Sequence, residues 1–167
     1  LTRLWRELSP RGRGWAASGL LVLALAGLAA ARPWDRYLMA SGVYVYAQPY
    51  TQITGKLEDA LRGQELLYYQ ETSDAVVSVW RVDYEMAVRT NGKGDATSHA
   101  DILTQKLLAH LPLVHHPAPR DVAVIGLASG VSLGSVLTWP GVGHVDCVEI
   151  VPAMKKAAAL FRAYNHD

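Results

Sequence analysis

The sequence predicts an α/β chain in which the opening turn of a doubly wound parallel sheet follows a small antiparallel β-domain and an apolar N-terminal helix. Three observations carry this. The hydrophobic period is 2 over much of residues 65–90, then gives way to short, nearly continuous apolar runs at Asp121–Ile125 and His144–Ile150. A glycine-containing bend, Gly126-Leu127-Ala128-Ser129-Gly130, separates the first of these runs from a helical pattern. Residues 15–31 carry no charge at all.

Composition sets the bounds. Among 167 residues, 50% are hydrophobic and 19% charged, enough apolar material for one ordinary domain with an appendage and too much for a chain disordered by composition. The net charge of +1 gives no electrostatic reason to propose a nucleic-acid partner, which needs clustered Lys and Arg on one face, so none is expected. The lone Cys147, between Asp146 and Val148, has no partner for an internal disulfide and reads as a structural thiol in a buried strand. The first residue is Leu1 and the last follow a helical pattern directly, which reads as a fragment truncated at both ends.

From the N-terminus, residues 1–14 form a basic flank holding Arg3, Arg6, Arg11 and Arg13. Residues 15–31 read as a transmembrane helix, with a cleavable signal peptide and a buried helix as the competing readings. The flanking arginines favour a cytoplasmic N-terminal side, whereas a domain that uses a nucleotide-like cofactor belongs in the cytoplasm itself; the side stays open. Residues 32–64 read as a polar and aromatic connector. Its Trp34, Tyr37, Tyr44 and Tyr46 suit either a membrane interface or packing against the next domain.

Residues 65–97 read as a small N-terminal β-domain with antiparallel strands Glu65–Glu71, Ala75–Val82 and Glu85–Thr90, the last closed by an Asn91-Gly92 turn. Residues 98–167 read as the first part of a parallel α/β domain. Its leading helix is expected to start at an N-cap Ser98, with Asp101 three residues on, and to turn Ile102, Leu103, Leu107, Leu108 and Leu111 inward. Strand 121–125 should be buried on both faces. A helix over about 130–138, a strand His144–Ile150 and a helix from Pro152 to Tyr164 complete the pattern.

The chemistry concentrates at the strand ends. Glycines in the 126–130 bend let backbone N–H groups approach a ligand at a helix start, and Glu149, about 20 residues on at the end of the next strand, can accept two ribose hydroxyls. Gly126, Leu127, Ala128, Ser129, Gly130, Glu149 and Ile150 are therefore the candidate cofactor-binding residues. The methyl group of Ala128 crowds a pyrophosphate and so leans toward an adenosyl-sulfonium compound over NAD. His110, His115 and His116 lack carboxylates or cysteines at ligand spacing, and no metal site is expected. Ser129 and Ser132 lack both a partnering base and the GxSxG pattern, which removes hydrolase chemistry.

The order Asn91-Gly92, Asp101, Leu107-Leu108-Ala109-His110-Leu111-Pro112-Leu113, His116-Pro117, Val124-Ile125-Gly126 and Val148-Glu149-Ile150 resembles the spermidine synthase family over about residues 65–167. The nearest likeness is to bacterial members fused to membrane-spanning segments. That resemblance implies the start of a Rossmann-like S-adenosylmethionine-dependent transferase fold. It implies S-adenosylmethionine or decarboxylated S-adenosylmethionine as co-substrate, without a metal. A small-molecule amine acceptor, a homodimer and the bacterial inner membrane, through residues 15–31, would complete the setting. Asp95, Asp101 and Gln105 fall where the donor and acceptor cleft would form, and Asp101 and Gln105 are the candidate substrate-binding residues. The catalytic aspartate is expected beyond residue 167. Three positions depart from the family: Ser129 stands where the glycine loop carries an aspartate, Thr104-Gln105-Lys106 where Tyr-His-Glu stands, and Val151 where an acid follows the strand. Loss of negative charge suits a polycationic acceptor poorly. A methyltransferase and a non-catalytic adenosyl-ligand sensor attached to a membrane protein are the rival functions.

Overall fold

The computed structural model describes residues 10–31, 34–54 and 56–167. Of the flanking charges, Arg3, Arg6 and Arg32 lie outside the described residues. The chain divides into two units, Leu1–Trp34 and Asp35–Asp167.

Among the described residues of the first unit there is one helix, α1, Pro10–Ala30. It begins earlier than the charge-free run because Arg11 and Arg13 are good helix formers and extend the pattern backward. Its 21 residues measure about 31 Å at 1.5 Å each. Arg11–Ala30 is long and apolar enough to cross a membrane by length and composition.

In the second unit, three helices stand where a plain connector was expected: α2 is Arg36–Ala40, α3 Val43–Thr54 and α4 Leu57–Arg62. Asp35 caps α2, accepting the Tyr37 N–H at 2.9 Å. Four antiparallel strands follow in sequential order: β1 Glu65–Glu71, β2 Val76–Val82, β3 Glu85–Thr90 and β4 Lys93–Thr97. The strand β4 was absent from the sequence-based expectation, since Lys93-Gly94-Asp95 has no alternation or β-branched residue to announce it. What makes it is the turn. Asn91 (φ 51°) and Gly92 (φ 81°) form a two-residue link of the kind that matches strand twist, returning the chain so that Lys93 pairs with Thr90. Gly92 also lies against Gly42, where a Cβ on either would overlap the other's backbone.

Both faces of this sheet are covered, as the period-2 pattern of β2 dictates. Val77 and Val79 point one way, with Val88 and Ala96, into a core shared with Met154, Ala157 and Phe161. Trp80 points the other way and is fully buried among Ala40, Tyr50 and Leu61. Of the aromatic connector residues, Tyr37 meets Trp80 edge-on at 5.4 Å and the Tyr46 hydroxyl accepts the Gly94 N–H at 3.0 Å. Tyr44 and Trp34 stay exposed.

Helix α5 spans Ile102–His115, then β5 Asp121–Ile125, α6 Val131–Leu137, β6 His144–Val148, α7 Ala153–Ala158, a 3-10 turn Ala159–Phe161 and α8 Arg162–Asn165. Strands β5 and β6 are parallel, with Asp121 opposite His144 and Ile125 opposite Val148. Four expectations need correction here. Helix α5 starts at 102 with Asp101 as N-cap residue, because the Ser98 hydroxyl is used elsewhere, accepting the Met86 N–H at 2.9 Å. Its buried face is Gln105, Ala109 and Leu113, whereas Leu103, Leu107, Leu108 and Leu111 are exposed. Small Ala109, one turn from Gln105, lets α5 approach α6 closely, and the bulkier leucines are left outside. Strand β5 is half-buried on one face only: Val122 and Val124 meet Ala109, Leu113 and Val136, while Asp121, Ala123 and Ile125 are exposed. Cys147 likewise is exposed, although it lies two residues from Val145 and therefore on the same face of β6.

Candidate functional site

The parallel register builds the site. With Ile125 opposite Val148, the Gly126 N–H continues the ladder to the Val148 carbonyl at 2.8 Å, and Glu149 is thereby placed beside the bend that follows β5. The bend needs left-handed backbone at three positions: Gly126 (φ 89°), Ala128 (φ 46°) and Gly130 (φ 81°). Ala128 is the costly one, because a Cβ in that region crowds its own carbonyl by roughly 1–2 kcal/mol. Surrounding bonds hold it there.

The first of these comes from Glu149. Its Oε2 accepts the Leu127 N–H and its Oε1 the Val151 N–H, both at 2.8 Å, so one carboxylate ties the bend to the start of the next helical segment. The second comes from α5. The Ser129 hydroxyl donates to Gln105 Oε1, and Gln105 Nε2 donates to Asp101 Oδ1 at 2.7 Å and to the Thr97 carbonyl at 2.8 Å. A third comes from α8, where Asn165 Nδ2 donates to the Ser129 carbonyl at 2.9 Å.

The structure thus brings together Asp101, Gln105 and Ser129 in one hydrogen-bonded chain, and Glu149 with Leu127 in another. A cleft of about 600 Å³ runs beside the bend. Gly126, Leu127, Ala128, Ser129 and Gln105 line it, together with Asp95 of β4, Ser132 of α6 and the length of β5. Gly130, Glu149, Ile150 and Asp101 are not among its lining residues. Ile150 is 81% exposed, and Ser129 is turned inward with its hydroxyl committed to Gln105.

Among the described residues, no three His, Cys, Asp or Glu side chains are grouped so as to hold a metal ion. His110 lies against Trp139, ring centroids 5.6 Å apart, and His116 Nδ1 accepts the Ala118 N–H. The Cys147 thiol is pushed above its ordinary value by partial burial and then by the Glu149 carboxylate.

With this geometry in place, comparison with known proteins places it. A polyamine aminopropyltransferase of Methanocaldococcus jannaschii is 28% identical over 102 residues, covering 58% of this chain and 35% of that protein. Over this stretch the chain is similar to that aminopropyltransferase. A spermidine synthase crystallised with the transition-state analogue AdoDATO and the spermidine synthase from Thermotoga maritima each superpose with a TM-score of 0.56 at 21% identity. Each superposition covers 60% of this chain and 36% of the other. No family model matches the sequence. The chain therefore spans about a third of the length of the proteins it resembles. The α/β fold with its antiparallel sheet is the part of the likeness that the solved structures carry.

Asn165 was not anticipated from the sequence. A signal for it existed in Gly130 and Gly134, one helical turn apart. A Cβ at Gly134 would overlap the Asn165 backbone, and one at Gly130 would stand 2.9 Å from its Nδ2. Paired glycines on a helix face mark close approach of another backbone.

Proposed function

We propose that this chain holds the donor side of a transferase site, binding decarboxylated S-adenosylmethionine or S-adenosylmethionine, and that the complete protein transfers an aminopropyl group to an amine. One observation supports this above all: the Glu149 carboxylate is held across two parallel strands against the left-handed bend, and residues 126–129 of that bend line a cleft of about 600 Å³. Each Glu149 oxygen has a second lone pair free to accept a ribose hydroxyl once its backbone bond is made. In the transfer itself, the acceptor nitrogen's lone pair forms a bond to the carbon beside the sulfonium. The carbon–sulfur bond breaks toward sulfur, leaving a neutral thioether, and the nitrogen's proton passes to a carboxylate base. No residue described here is assigned as that base.

Methyl transfer is a second reading, and a specific observation favours it. Beside Ser129 the bend is faced by neutral groups, Gln105 and Ser132, and Asp101 Oδ1 is engaged by Thr97 and Gln105. Beside Ser129 a polyamine therefore meets neutral groups, and the carboxylates that line the cleft, Asp95 and Asp121, belong to β4 and β5. We also assign α1 to the membrane, on its length and its apolar composition.

Calorimetry of the full-length protein with each sulfonium compound tests the donor reading. Saturable binding of the decarboxylated compound in preference to S-adenosylmethionine supports aminopropyl transfer, the reverse preference supports methyl transfer, and binding of neither overturns both. Resistance of the full-length protein to alkaline extraction from membranes is expected for α1, and release into the supernatant would overturn that assignment.

A further inference from the structure

Gln105 is the polar member of the buried face of α5, 7% exposed, and it bridges the four-stranded sheet and the glycine bend. Both ends of its amide are used. On one side Nε2 bonds Asp101 Oδ1 and the Thr97 carbonyl, and Asp101 Oδ1 also accepts the Thr97 N–H at 2.8 Å and the Thr97 hydroxyl at 2.5 Å. On the other side Oε1 accepts the hydroxyl of Ser129, which is 1% exposed. The Ser129 oxygen in turn accepts the Val131 N–H at 3.3 Å.

The polarity of this chain is fixed from its charged end. A carboxylate can only accept, so the NH2 of Gln105 must face Asp101, and its carbonyl oxygen must then face the Ser129 hydroxyl. Satisfied buried networks of this kind give one arrangement and penalise others steeply, since removing a member leaves its neighbour unbonded away from water. The residue they fix adjoins Ala128, whose left-handed backbone needs an external restraint.

We propose that Gln105 is a positioning residue, which from α5 ties Ser129 to Thr97 of β4 and thereby fixes the Ala128 bend in the shape that a donor nucleoside would meet. This rests on reading the bend as the donor floor. Gln105 itself acts through Ser129 and not through the ligand. Gln105 and Ser129 thus form a neutral tether.

The test uses the full-length protein with Gln105→Leu, Ser129→Ala and the double variant. Hydrogen exchange is followed at the amides of residues 127–130 and, as a control, at β2 and β3; calorimetry gives the affinity for S-adenosylmethionine and its decarboxylated form. Each single variant is expected to speed exchange at the bend roughly tenfold while the control strands keep their rates. The affinity for whichever compound binds should fall roughly tenfold, and the double variant should lose clearly less than the product of the two singles, because the Gln105–Ser129 bond is lost in all three. Bend exchange within about twofold of the parent in both singles, or losses that multiply in the double variant, would overturn the proposal. If the parent protein binds neither compound, the donor reading falls and the tether is judged on exchange alone. Should Gln105→Leu not fold, Ser129→Ala, which deletes one oxygen, decides.

Discussion

Replacing Glu149 by glutamine probes the carboxylate on which the site is built. The carboxylate makes two hydrogen bonds to backbone N–H groups, those of Leu127 and Val151, each at 2.8 Å. Bonds to a charged acceptor contribute about 1.5–3 kcal/mol each, and their loss also leaves a donor without a partner. An amide of the same shape keeps one acceptor oxygen and turns an NH2 toward the other N–H, so Glu149→Gln forfeits one bond and gains a donor–donor contact. The expected loss is about 2 kcal/mol. A unit the size of Asp35–Asp167 shifts its melting point by roughly 3–5 °C per kcal/mol, which gives a fall of roughly 6–10 °C. Glu149→Ala removes both bonds and should fall about twice as far. Thermal unfolding followed by circular dichroism measures this directly. A Glu149→Gln protein that melts within about 1 °C of the parent would refute the claim that the carboxylate holds the bend.

Three further expectations follow from other contacts. Gly134→Ala drives a methyl group into the Asn165 backbone and should cost about 1–3 kcal/mol, read as a lower urea midpoint; an unchanged midpoint would mean that α8 moves aside freely. Burial alone would raise the Glu85 carboxyl, but the His99 and Ala100 N–H groups, the Thr97 hydroxyl and the charge of His99 outweigh it and set it below the ordinary 4.5. A carboxyl lowered on folding contributes stability that is present above the ordinary value and lost as pH falls through the folded one. Glu85→Gln should therefore be less stable than the parent at about pH 6, with the gap closing below about pH 4.5; a gap independent of pH in urea titrations would contradict this. Cys147 is exposed but its thiol is raised, so alkylation by iodoacetamide should be slow near neutrality and quicken as pH rises. It should be faster in Glu149→Gln, where the neighbouring charge is gone, and equal rates in the two proteins would remove that coupling.

The sequence made some of this legible and hid the rest for definite reasons. Strands β1, β3 and β5 could be read to their ends because short runs of Leu, Tyr and Val stand between polar ends, and strand preference is local. The left-handed turn at Asn91-Gly92 was equally plain, as few other pairs adopt it cheaply. Yet the strand beyond that turn was not, since Lys93–Thr97 becomes a strand by pairing with β3 and not by its own preference. The leucines of α5 were misread for a related reason. Helical period shows that a face exists, but Gln105 and Ala109 are buried because small groups let α6 approach, and that depends on a partner the period does not contain.

What the sequence determined by itself was therefore local. It held the strand–bend–helix order, the positive-φ glycines and the acid about 20 residues after the bend, each fixed by backbone sterics within a few residues. Only the tertiary structure decided which atoms those groups meet. The parallel register of β5 and β6 turned Glu149 onto the Leu127 N–H, and the packing of α5 turned Asp101 and Gln105 from residues near a cleft into a buried chain ending on Ser129. The physical reason is that a hydrogen bond between residues more than 20 apart depends on how two elements dock, and docking is set by the shape of side chains on both, which neither segment specifies alone.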